Sequence, residues 1–302
     1  MADIRMGESM GIGERHDEVE LSRGEHEDDE ATRAQLEEMA IALDSSTKRK
    51  HRDDPDQQRF TLFYQPRADL SSGRVTGAEA LIRWDHPELG LVAPSRFIDQ
   101  AETSGMMVPL GEWVLRTACS QAQAWQSAGS PALAISVNIS RSQFESEGFV
   151  ASVADALLTS SMPPARLELE MRCDTILAHP ERSLATMQQL VAMGVSLSVD
   201  AFHPGDASPD ALRALQLSRL KIDRELITAL DEDDARDHAL AAIALGKALG
   251  LRLVAVGVEI EQHRQFLRRH GCHEMQGYLL SRPLPPEGLA SVRTATGPLE
   301  ND

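Results

Sequence analysis

From Arg59 almost to the C-terminus, short β-rich runs alternate with helix-length segments, and this alternation constrains the fold more than any other feature. The runs are Phe60–Gln65, Val75–Trp84, Leu133–Ile139, Arg166–Met171, Val195–Val199, Leu217–Ile222, Leu251–Val256 and Met275–Leu280. Helical segments between them include Pro94–Ser104, Leu110–Gln126, Glu181–Met193, Ala235–Leu249 and Ile260–His270. Gly105, Gly129, Gly194, Gly250 and Gly271 stand at their ends, where a helix C-terminus prefers a residue free to turn left-handed. Eight strands with interleaved helices over about 230 residues are the arithmetic of an α/β, TIM-like (β/α)8 barrel. A doubly wound open sheet is the main rival, but no Gly-rich nucleotide fingerprint follows the first strand.

Composition narrows the function classes. Thirty basic residues against 47 acidic ones give a formal charge of −17, which repels a phosphate backbone and disfavours a DNA or RNA duplex as partner. No apolar run approaches the ~20 residues that span a bilayer, and the N-terminus lacks the apolar stretch of a signal peptide. Cys119, Cys173 and Cys272 are scattered without CxxC spacing, suggesting neither a disulfide framework nor a zinc cluster. A reduced, cytoplasmic location with no membrane association is expected. Residues 1–30 carry eleven acids against three arginines, a net −8, with no aromatic residue. Such a stretch buries too little apolar surface to offset its ordering entropy, so residues 1–31 read as a disordered tail. Residues 32–58 read as a short helix (Thr32–Leu43) and a linker holding the basic knot Lys48–Arg52. The barrel is expected over 59–290, with 291–302 as a disordered C-terminal tail.

Chemistry in such a barrel belongs at the C-terminal ends of the strands. Glu79 lies in the second run and Asn138 near the end of the third; Glu170 ends the fourth, Asp200 the fifth, Lys221 and Asp223 the sixth, and Gln276 falls in the eighth. Each alone has a plain structural reading, since strand-end aspartates often cap helices and lone lysines often snorkel to solvent. Their repetition on successive strands points instead to an oxygen-rich mouth suited to Mg2+ or Mn2+.

The run Gly77-Ala78-Glu79-Ala80-Leu81-Ile82-Arg83-Trp84-Asp85-His86-Pro87 resembles the signature of the EAL domain, the bacterial cyclic di-GMP phosphodiesterase family. The resemblance extends over nearly all of residues 60–285. It includes Tyr64-Gln65-Pro66, Val137-Asn138-Ile139-Ser140, Leu169-Glu170-Met171, Leu220-Lys221-Ile222-Asp223-Arg224 and Gln276-Gly277-Tyr278. It implies a TIM-like barrel with one antiparallel strand and a mouth that binds cyclic di-GMP. By that resemblance Glu79, Asn138, Glu170 and Asp200 would hold a first metal ion, with Asp223 beside them as a further ligand. Lys221 would be catalytic, contacting the attacking water. Arg83 would meet a phosphate, with Gln65, Leu81 and Gln276 completing the ligand-binding set.

The pattern breaks at two positions. Where the family has two adjacent aspartates followed by Phe-Gly-Thr-Gly, this chain reads Asp200-Ala201-Phe202-His203-Pro204-Gly205. Ala201 replaces a ligand of the second metal, and a methyl group cannot coordinate a cation. His203 offers an imidazole instead, but the proline beside it leaves the loop's shape unspecified. Where the family has Ala-Glu-Gly-Val-Glu, the chain has Ala255-Val256-Gly257-Val258-Glu259, so Val256 removes a proposed general base. Arg172 is a smaller departure, expected to set a cation near the metal shell. A degenerate domain that receives cyclic di-GMP with little or no hydrolysis follows. The alternatives are a nucleotide-independent interaction module, with a protein partner or a second copy, and a residually active phosphodiesterase.

Overall fold

The computed structural model describes residues 34–44 and 59–295. The acidic segment 1–31 and the basic knot Lys48–Arg52 lie outside the described residues. Nine strands form one sheet: β1 (Arg59–Asp69), β2 (Val75–His86), β3 (Gly90–Val92), β4 (Ala134–Asn138), β5 (Leu167–Arg172), β6 (Ser196–Phe202), β7 (Arg219–Ile222), β8 (Arg252–Val256) and β9 (Glu274–Gln276). Their order is β1-β9-β8-β7-β6-β5-β4-β2-β3, and a further β1–β2 pairing closes eight of them into a barrel, leaving β3 as a flap on β2. β1 runs antiparallel to both β2 and β9, while the other barrel pairs are parallel. The expected barrel with one reversed strand is therefore the observed one.

The short parallel strands are buried on both faces, which is why they read as compact apolar runs. The upper part of β1 instead alternates half-buried and buried residues, because the β1–β2 hairpin extends past the mouth as an arm with one face packed. Phe60 on that face meets Trp84, Phe97 and Trp113, with ring centroids 5.6–6.3 Å apart. Leu110, Trp113, Val114, Ala118, Ala122 and Trp125 form the matching buried stripe of the helix Met107–Ser127. At the arm's tip His86 Nδ1 accepts the Glu88 and Leu89 amides, both at 3.1 Å, so Nε2 carries the ring hydrogen toward Glu38, 3.5 Å away. Glu38 belongs to the helix over 34–44, whose Met39 and Ala42 are fully buried. The last helix, Pro286–Ala295, buries Leu289 and carries the chain past residue 290, where the barrel was expected to end.

The barrel floor is ionic where such barrels usually stack branched aliphatic side chains. Arg67 contacts Glu168 at 2.8 Å and Glu274 at 3.4 Å, and Arg219 contacts the same two carboxylates at 3.2 and 3.4 Å, closing a four-membered ring. A Cβ on Gly77 would stand 2.8 Å from the Ala134 carbonyl and 3.2 Å from the Arg67 guanidinium, so this position leaves no room for a side chain.

β6 bulges near the mouth. Its pairing with β7 passes from Val199↔Leu220 to Phe202↔Ile222, setting Asp200 and Ala201 against Lys221 alone. Ala201 takes φ of 49°, a left-handed conformation that crowds its Cβ. Ala201→Gly should therefore stabilise the fold by ~0.5–1 kcal/mol, read as a raised denaturation midpoint at unchanged slope.

Candidate functional site

The polar strand-end residues converge as the alternation of strand side chains requires. Register partners in parallel strands share a face, so Asn138 beside Glu170, and Val256 beside Gln276, point into the same mouth. Asn138 Nδ2 donates to Glu79 Oε1 at 2.6 Å, and Gln276 Nε2 donates to Glu79 Oε2 at 2.7 Å and to Gln65 Oε1 at 3.1 Å. Lys221 is buried, not a surface lysine. Its Nζ lies 3.1 Å from Glu79 Oε2 and 2.9 Å from Asp200 Oδ1, and it also donates to Glu170 Oε2. Glu170 Oε1 is buried with no hydrogen-bond partner among the described residues.

Three carboxylates face one ammonium, a formal charge of −3 + 1 = −2. Burial alone would strip the Lys221 proton, but Asp200, Glu170 and Glu79 hold its pKa well above the ordinary lysine value. Burial alone would also raise Glu79. The Lys221 ammonium and the hydrogen bonds from Gln276, Asn138 and Lys221 hold it below the usual carboxylate range. Glu170 takes the surplus: burial first, then the charges of Glu79 and its acidic neighbours, push it up to about 8 against the pull of Lys221. The all-oxygen donor set and the orphaned Glu170 oxygen fit a hard divalent cation.

A pH dependence follows from Glu170. Its folded pKa of about 8 lies above the ordinary 4.5, so without an ion the folded state favours the proton. The stability this group contributes is greatest at low pH and falls as pH rises from 4.5 toward about 8. A cation must displace that proton, so Mg2+ affinity should climb by roughly tenfold per pH unit up to about pH 8 and then level off. Calorimetric Mg2+ titrations across that range check this, and a flat profile would count against it.

The remaining expected residues lie around this cluster. Arg83 is half-buried on β2, stacks 5.9 Å from the Phe63 ring centroid and donates to the Ile82 carbonyl at 2.7 Å. Leu81 is opposite Phe63 in the β1–β2 register. Asp223 does not join the carboxylate cluster: its Oδ1 caps the helix Arg224–Thr228, accepting the Glu225 amide at 2.6 Å, and lies 3.8 Å from His203 Nε2. Arg172 departs from expectation. At the last position of β5 its guanidinium runs out to solvent and pairs with Asp174 at 3.5 Å, so it does not compete with a cation in the mouth. Glu259 forms an exposed ion pair with Arg224 at 2.8 Å.

A rim feature escaped the sequence reading. Tyr278 is exposed, with Arg282 4.3 Å and Arg224 5.7 Å from its ring centroid. The Gln276-Gly277-Tyr278 motif marks the tyrosine, but nothing along the chain shows that two arginines from separate segments would stack on it. An acidic pocket beneath a rim carrying arginine and an aromatic face can hold a cation below and a phosphate or flat base above.

Residues 48–283 match the family model for the EAL domain. The chain is 44% identical over 240 residues to the bifunctional diguanylate cyclase/cyclic di-GMP phosphodiesterase MucR of Pseudomonas aeruginosa, covering 78% of this chain and 35% of that one. It is 38% identical over 250 residues to the cyclic di-GMP phosphodiesterase NbdA of the same organism, covering 82% of this chain and 31% of that one. The chain thus spans about a third of the length of these relatives. A solved structure of the MucR phosphodiesterase in complex with c-di-GMP superposes with a TM-score of 0.77 at 41% identity, covering 84% of this chain and 98% of that one. Among the described residues no helix is long and apolar enough to cross a membrane.

Proposed function

This chain belongs to the EAL domain family, and we propose that it receives cyclic di-GMP at the barrel mouth with little or no hydrolysis. The observation that carries this reading is Val256. It stands on the mouth-facing side of β8, level with Gln276, where an isopropyl group can neither accept a proton nor hold a water. The cluster around Glu79 supports retained binding.

Glu79, Asn138, Glu170 and Asp200 are the residues that would hold a divalent cation, Mg2+ or Mn2+. Such an ion, when bound, offsets phosphate charge and acidifies a coordinated water. Gln276 and Asn138 fix the Glu79 carboxylate from both of its oxygens. Lys221, held as an ammonium, supplies a fixed positive charge beside the scissile phosphate. Arg83 offers that phosphate a planar pair of donors, and Tyr278 with Arg282 offers a guanine a face to stack on. At a second cation position, the Ala201 methyl supplies no ligand.

Calorimetric titration of cyclic di-GMP, with and without Mg2+ or Ca2+, tests the reading together with an assay for the linear dinucleotide. Micromolar or tighter binding without turnover is the expected result. Turnover comparable to an active phosphodiesterase would overturn the receptor reading, and no binding in either condition would direct attention to a protein partner or a second copy of this chain.

A further inference from the structure

Among the described residues, outside the carboxylate cluster, one group of metal-ligating side chains comes together at the mouth: His203, Asp223 and Glu225, whose ligand atoms all lie within 4.8 Å of one another. We propose that these three residues form a second cation site, separate from the Glu79 cluster, that selects a borderline transition ion such as Zn2+ over Mg2+. The proposal does not rest on the cyclic di-GMP reading.

Two loops build the site. His203 follows β6, and Asp223 with Glu225 follows β7; the Asp223 amide donates to the Phe202 carbonyl at 3.3 Å, holding the loops side by side. The His203 backbone is set by a tight turn in which its amide donates to Asp206 Oδ2 at 2.8 Å and its carbonyl accepts the Asp206 amide at 3.1 Å. Pro204 stiffens that turn by fixing φ. The loop shape that the sequence left open thus turns the imidazole toward Asp223, with Nε2 at 3.8 Å from Oδ1. Among the described residues no hydrogen-bond donor reaches the imidazole, whose Nε2 has only the Asp223 carboxylate beside it. Asp223 Oδ1 is tied to the Glu225 amide, and its second oxygen carries no hydrogen bond among the described residues. Three side chains leave coordination positions for water or a ligand oxygen, as open metal sites do.

The donor chemistry separates the two sites. The Glu79 cluster offers oxygen only, which suits Mg2+ and Mn2+. An imidazole nitrogen with two carboxylates follows the order in which Zn2+ exceeds Mn2+ and both far exceed Mg2+.

The test uses the full chain stripped of ions by chelation, with Zn2+ and Mg2+ as the probes. Histidine side chains are followed by NMR, the His203 signal being the one that disappears in His203→Gln. Micromolar Zn2+ should move that signal while millimolar Mg2+ leaves it in place, and Glu225→Gln should weaken the Zn2+ response at least about tenfold. Glu79→Gln should leave it unchanged, which separates failure of this site from failure of the carboxylate cluster. A His203 signal indifferent to Zn2+, or a response unaffected by Glu225→Gln, would overturn the proposal.

Discussion

Replacing Ala201 by Asp and Val256 by Glu together should raise hydrolysis of cyclic di-GMP to the linear dinucleotide by about 10²–10⁴-fold over the natural chain, the range one general base supplies. The scaffold is ready for both changes. Residue 201 sits in a bulge at φ of 49°, a conformation aspartate tolerates better than alanine, so the new carboxylate arrives with local strain relieved. Residue 256 already points into the mouth beside Gln276 and is half-buried, so a glutamate there reaches solvent while facing the cluster. The two roles belong to one unit, so either single replacement should recover much less than the pair. A double variant no faster than the natural chain, although it binds the nucleotide, would mean that some other feature blocks turnover. The rewritten loop after Phe202 would be the first to examine.

Arg67→Met should destabilise the barrel by about 3–5 kcal/mol, the cost of leaving a buried carboxylate without its partner. Arg67 is almost wholly buried and holds one edge of the ring through Glu168 and Glu274. Its loss leaves Arg219, with Arg252 at the margin, to balance both acids. Adding Glu168→Gln to Arg67→Met should recover part of the loss, since the double variant removes the unpaired charge as well. Equilibrium denaturation reads both effects. Additive losses would show that the floor acts through packing and not through its charges.

The strands were legible because their periodicity survives without knowledge of neighbours. Asn138, Glu170, Asp200 and Lys221, at or just past the ends of successive runs, could be read along the chain as one level of the barrel, and the structure brings them to one mouth. Other features depended on the third dimension. The helix Phe149–Ser160 buries Val153, Ala156 and Leu157 at helical spacing, yet it ends on Ser161 at φ of 57°, so the glycine signal that marked its neighbours was missing. Lys221 reads along the chain as an isolated surface charge; only closure of the barrel brings three carboxylates to it. The ring around Arg67 joins strands 101 residues apart in the case of Glu168, beyond the reach of any local pattern. Arg172 misled for a simpler cause: two residues past Glu170, at the very end of β5, it stands at the exposed rim and turns to Asp174, and solvent screens its charge.

The reversed first strand also decides which way the protein is wired. In an all-parallel barrel the chain enters at the floor and must cross the full height of the sheet before it meets the chemistry. Here Arg59 pairs with Asp85 near the far end of β2, so the polypeptide enters from above the mouth and runs downward past Gln65 to the floor. Anything attached upstream of Arg59 is delivered to the mouth side of the molecule, alongside the His86 tip on which the helix over 34–44 already rests. The entry of the chain at Arg59 and the polar mouth share one end of the barrel, so a contact between them has no need to pass through the core.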